Sequence, residues 1–181
     1  MSDTLLSDLP QAVCDELKSF MPKLKKCDPH AGKFDLGELK KAGFPASSVL
    51  VSNLGAKQDT TYGQGAPSYM LRMAAYVVTK DGLGVNRDTL AANICQVLLR
   101  VIPGKTWSQS GYGQARDVAM QTLVSSKIKD KGVSLWAVTW HQPISFFAPE
   151  PTEIGAELYV GQSPAIGAAN VADYDQVGGA S

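Results

Sequence analysis

A chain of 181 residues, 44% hydrophobic and 8% aromatic, has enough material for one buried core and is short for two, and this composition excludes a disordered chain. Seventeen Lys and Arg balance seventeen Asp and Glu, and charged residues make up only 19% of the chain. No general field therefore draws nucleic acid or acidic membranes, and the low charge favours association.

Cys14, Cys27 and Cys95 are odd in number and widely spaced, with no CxxC pair, which argues against a disulfide framework and a zinc site and for a reducing compartment. The opening Met-Ser-Asp-Thr-Leu-Leu-Ser-Asp is acidic where a secretory leader is basic. No run approaches about 18 apolar residues, so neither a spanning helix nor a membrane partner is expected.

Asp8 and Pro10 supply a cap and a first-turn proline for a helix carrying Val13, Leu17, Phe20, Met21 and Leu24 at helical spacing, ended or kinked by Pro22. The basic cluster 23–26 leads into Cys-Asp-Pro-His-Ala-Gly at 27–32, which reads as a turn. A short helical piece is expected over 35–41, closed by Gly43. Val49, Leu50 and Val51, between Pro45 and Gly55, favour a strand. Residues 57–67, with Gly63, Gly65 and Pro67, read as an exposed loop to the next one.

In that next strand Tyr69, Leu71, Met73, Ala75 and Val77 alternate with Met70, Arg72, Ala74, Tyr76 and Val78. Both faces are largely apolar, which predicts a central strand covered on one side by a helix. Asn86 can cap a helix over 87–102, where Leu90, Ile94, Val97, Leu98 and Val101 trace one stripe, widened by Ala91, Cys95, Leu99 and Ile102. Pro103 and Gly104 stop it.

A polar, glycine-containing loop follows at 105–113. A strand over 116–124 then puts Val118, Met120, Thr122 and Val124 on one face, and 125–132 is a lysine-rich turn. A long strand over 133–146 gathers Trp136, Val138, Trp140, Ile144 and Phe146 on one side. Pro143 cannot donate to a ladder, so that end should sit at an edge or leave the sheet. Residues 148–181, rich in Pro, Gly and Ala, read as an extended C-terminal arm on a 1–147 domain, ordered by lying on its own domain or on a neighbour. The expected fold is α+β, a mostly antiparallel sheet with helices packed on one face.

The search for chemistry returns no catalytic, cofactor-binding or metal residue, and no cofactor is expected. His30 and His141 lack companions at metal-ligand spacing, and His141 reads as a satisfied surface or edge histidine. A Ser or Cys95 nucleophile with His141 and an Asp lacks a GxSxG elbow, and Cys95 falls in an apolar helix, where it reads as a small buried hydrophobe. The glycines at 63–65 and 82–84 match neither GxxxxGK[ST] nor GxGxxG. Lys127, Lys129 and Lys131 with Arg116 form a basic strip without aromatic interleaving, hence a solvated turn. Tyr62, Trp107 and Tyr112 sit in polar loops where self-burial is not guaranteed. With Tyr159 and Tyr174 of the arm, they are the candidate interface residues.

The run Lys-Gly-Val-Ser-Leu-Trp-Ala-Val-Thr-Trp-His-Gln at 131–142, preceded by Ala-Arg-Asp-Val at 115–118 and followed by Ser-Pro-Ala-Ile-Gly at 163–167 and Asp-Tyr at 173–174, resembles the family of Mu-like bacteriophage tail terminator proteins. The resemblance runs from the opening helix to the arm and rests on a structural strand, not a catalytic signature. It implies a non-enzymatic virion protein that closes as a homohexameric ring at the head-proximal end of a contractile tail. Its implied partners are further copies of itself, the tail tube protein, the tail sheath protein and a neck or connector protein. DNA would pass through the lumen without sequence-specific binding, and assembly would take place in the host cytoplasm. The aromatic loops would touch adjacent rings and the arm a neighbour. The rival readings are a neck or head-completion connector, a small monomeric peptide-binding adaptor, and a small hydrolase or nucleotide-binding enzyme, the last disfavoured by the missing constellation.

Overall fold

A computed structural model describes residues 4–34, 45–61, 67–81, 84–108, 111–123, 132–146, 159–160 and 175–176. The chain divides into two compact units, Met1–Phe147 and Ala148–Ser181. In the first, α1 (Leu5–Phe20) and β1 (Lys26–Pro29) precede the long pair β2 (Ser47–Thr61) and β3 (Pro67–Lys80), followed by α2 (Arg87–Val101), β4 (Arg116–Thr122) and β5 (Val133–Ser145). In the second, β6 (Tyr159–Val160) pairs antiparallel with β7 (Asp175–Gln176).

The five described strands of the first unit form one sheet in the order β1-β2-β3-β5-β4. Only β1 and β2 are parallel; the remaining pairs are antiparallel. The alternation along β3 decides its place. Leu71, Met73, Ala75 and Val77 join Val138, Trp140 and Ile144 of β5 and the buried stripes of both helices in one core. Ala74, Tyr76 and Val78 join Leu50, Val133, Leu135 and Ala137 in a second core on the opposite face. A strand apolar on both sides is stable only in the middle of a sheet, and β3 is the middle strand. The fold is therefore α+β, with both described helices on one face of a mostly antiparallel sheet.

Each helix has a local cause. Along α1, Leu9, Val13, Cys14 and Leu17 are buried on one stripe. The helix begins before the Asp8–Pro10 signal because the Thr4 carbonyl already accepts the Ser7 and Asp8 N–H groups at 3.0 and 2.9 Å, which leaves Pro10 inside the helix. Asn86 caps α2 by accepting the Asp88 N–H at 2.8 Å, and Ala91, Ile94, Cys95 and Leu98 face the core. Gly104, just past its end, takes the left-handed conformation at φ 76° that a side chain disfavours.

Several expectations need correction. Residues 26–29 are a strand, not a turn: Cys27 is buried and pairs with Val49, while charged neighbours mask so short an edge strand in the sequence. Residues 57–61 continue β2 through bulges after Asn53 and Gln58, pairing with the start of β3; Gly55 marks an irregularity and not an end. Pro143 lies inside β5 opposite Met70. Its carbonyl accepts the Gly113 N–H at 2.9 Å, so its missing N–H faces the side where β4 has already ended at the Arg116–His141 pair. The alternation expected along β4 does not become burial, for the strand is exposed over most of its length. The expected helical piece at 35–41 and most of the lysine-rich turn at 125–132 lie outside the described residues.

Candidate interaction surfaces

Residues 104–115 wrap a buried amide. The Gln142 side chain, on the helix face of β5, is fully buried. Its Oε1 accepts the indole N–H of Trp107 at 2.7 Å and that of Trp140 at 3.2 Å. Its Nε2 donates to the carbonyls of Lys105, at 3.3 Å, and Gly113. Two indole donors on one side and two carbonyl acceptors on the other fix which way the amide points. Around this centre the Gly104 N–H donates to the Ala115 carbonyl and the Ala115 N–H to the Lys105 carbonyl, both at 2.9 Å. Gly113 passes so close to Pro143 that a Cβ there would lie 2.8 Å from the proline Cβ.

This arrangement revises the expectation for two aromatic residues. Trp107 is 3% and Tyr112 6% exposed, so both belong to the core of the fold and not to its outer surface. The reason is polar satisfaction. The Trp107 N–H has Gln142, and the Tyr112 hydroxyl donates to the Leu5 carbonyl at 2.6 Å, which lets each ring bury without an orphaned donor. Burial, and then the Asp8 charge, raises the Tyr112 hydroxyl pKa. Trp107 even holds a left-handed backbone, φ 54°, a conformation costing on the order of 1 kcal/mol that the burial of its indole offsets. Tyr62 and Tyr174 lie outside the described residues, and Tyr159 stands in β6.

The thiols and the histidines are engaged in the fold. All three cysteines are free and buried. Desolvation pushes the Cys95 thiol up to about 11, and a hydrogen bond with Cys27, together with burial, raises Cys14 further, so neither offers a thiolate at neutral pH. His141 Nδ1 lies 3.0 Å from Asp117 Oδ2 on the exposed side of β5. His30 Nδ1 lies 3.2 Å from Ser52 Oγ, with its ring beside Phe34 and Tyr76. Among the described residues no group of three or more His, Cys, Asp or Glu is placed to hold a metal ion, and no helix is long and apolar enough to cross a membrane.

Two surfaces face outward with apolar content. A cleft of about 460 Å³ opens between the end of α1 and the flank of α2, lined by Phe20, Met21, Leu24, Leu90, Ile94 and Val97, with Lys23 and Ser47 at its margin. Phe20 is 50% exposed there, its ring covered in part by the Lys105 ammonium, which also pairs with Glu16. An adjoining recess of about 430 Å³ shares Met21, Pro22 and Leu24 and carries Lys18, Lys25 and Lys26. The other surface is β4, the edge of the sheet, where Met120 is 42% exposed. Single-sequence reading missed both, because the cleft joins residues some 70 apart in the chain and an edge strand carries the same alternation as an interior one.

No family model matches this chain, and no curated protein matches its sequence. Among solved structures it is similar, at 12% identity and a TM-score of 0.36, to a chain described as the sheath/tube terminator of an extracellular contractile injection system, PVC, in the extended state. The likeness covers 92% of this chain and 66% of that one, so this chain spans just under two thirds of that structure's length.

Proposed function

We propose that this chain is a non-enzymatic virion protein that closes as a homohexameric ring on the head-proximal end of a contractile phage tail, ending tube and sheath growth and joining tail to neck. The observation that carries the reading is the division of labour among its side chains. The thiols, the histidines and the buried amide are engaged within the fold, while an apolar cleft and a sheet edge with an exposed methionine face outward. The terminator-like run 131–142 supports it as well, since it spans most of β5, whose Trp140 and Gln142 hold the segment 104–115 in place.

A subunit of this kind works by shape. A heterologous contact that closes by rotation makes a ring, and a ring whose two faces differ cannot template a further layer. The tube protein, the sheath protein and a neck protein are the partners in this reading, with DNA passing through the lumen. Assembly of tail tubes without the chain is expected to give tubes of unregulated length, and adding the purified chain to restore a uniform length. Tubes that stop at the usual length in its absence contradict the proposal.

A further inference from the structure

The zero net charge conceals a separation along the chain. All 17 Lys and Arg precede Ala148, whereas five of the 17 acids, Glu150, Glu153, Glu157, Asp173 and Asp175, follow it. The first unit therefore carries five surplus positive charges and the second five negative ones. Part of the positive surplus stands at the α1–α2 cleft. Lys23 lines it, Lys18 and Lys25 line the recess that continues it, and none of the three has an ion-pair partner among the described residues. The segment 149–158, Pro-Glu-Pro-Thr-Glu-Ile-Gly-Ala-Glu-Leu, offers the opposite charge, with three acids, no base and two large aliphatic residues.

We propose that the α1–α2 cleft of one copy receives the segment 149–158 of a neighbouring copy, Ile154 and Leu158 meeting its apolar lining and Glu150, Glu153 and Glu157 facing Lys18, Lys23 and Lys25. Chain length favours a neighbour over the subunit's own segment. The first unit ends near Phe146, whose N–H donates to the Pro67 carbonyl at 3.2 Å. Ser47, at the cleft, pairs with Thr79 at the other end of β3. Twelve residues of strand separate those two ends, on the order of 40 Å at about 3.3 Å per residue. Glu150 and Glu153 follow Phe146 by four and seven residues and reach at most about 25 Å, so in its own copy only the end of the segment, near Leu158, spans that distance. A contact between a segment of one copy and a cleft of the next is heterologous, the kind that closes into rings. The identity of the neighbour rests on the ring reading; the fit of segment to cleft does not.

The test is a labelled synthetic peptide of residues 148–158 titrated into the full-length chain at a concentration where it sediments as a monomer, with fluorescence polarisation as readout. Saturable binding is expected, weakened several-fold by added salt. It should weaken roughly tenfold in Lys23→Glu/Lys25→Glu, whose positions are exposed and leave the fold intact, and by a similar factor in Val97→Asp. A peptide with its three acids replaced by Lys should prefer the charge-reversed variant. A photo-crosslinker at Ile154 of the full chain, in a mixture of light and heavy isotope-labelled copies, should join one copy's segment to another's α2. Absence of saturable binding, binding indifferent to these substitutions, or cross-links confined to a copy's own α2 or to tube or sheath protein overturns the inference. Peptide binding by a chain that forms no ring on tubes leaves the inference standing and ends the ring reading; a ring with no peptide binding does the reverse.

Discussion

Between Gly104 and Thr122 the chain passes from a segment with little regular structure that sends Trp107, Tyr112 and Ala115 into the core to a strand that is almost wholly exposed. The first holds two aromatic residues whose polar atoms find partners on other elements, Gln142 of β5 and the Leu5 carbonyl of α1. The second, β4, has a ladder to β5 on one side, broken by an irregularity between Arg116 and Ala119, and none on the other among the described residues. Burial is thus decided by where the polar groups of a segment can be satisfied, more than by its own regularity. A strand left exposed with an apolar residue such as Met120 is a surface suited to a partner.

Substitutions can break or sharpen this contrast. Trp107→Ala removes a large side chain from the first segment and is expected to cost about 3–5 kcal/mol, read as a shift in the denaturant midpoint. The burial of Trp107 places the effect of this variant in folding. Gln142→Leu leaves two indole donors and the Gly113 carbonyl without this partner, while the Lys105 carbonyl keeps the Ala115 N–H, for an expected loss of about 2–4 kcal/mol. Tyr112→Phe removes one hydrogen bond, to the Leu5 carbonyl, and should cost about 1 kcal/mol in the same measurement. At the other extreme, Met120→Thr on β4 is expected to change stability by less than about 0.5 kcal/mol. If β4 meets a partner, its effect appears as weaker binding to tube ends. A destabilisation by Met120→Thr as large as that of Gln142→Leu would erase the contrast.

The fold was legible where a single period governed a long segment. The two-faced alternation of β3 placed it at the centre of the sheet, and the Asn86 cap with the stripe of α2 set that helix to within a residue of its observed end. What escaped was set by distant partners. Lys26–Pro29 became a strand because β2 lay beside it in parallel, and no periodicity shows in four residues, two of them charged. Trp107 and Tyr112 read as outward anchors because their loop is polar, yet the residue that draws Trp107 inward is 35 positions away. The cleft had no local signature, since its two walls come from α1 and α2. By contrast, the charge separation between the two units was open to view in the sequence and acquired meaning only when Lys18, Lys23 and Lys25 came together around that cleft.

The central claim, that this protein acts by closing a ring on a tube end, is tested most directly by electron cryomicroscopy of tail tubes assembled with the full-length chain. Six copies are expected around the tube axis at the head-proximal end, with β4 or the α1–α2 cleft in contact with a neighbour. Copies scattered along the tube wall, or tube ends that carry no density for the chain, would contradict it.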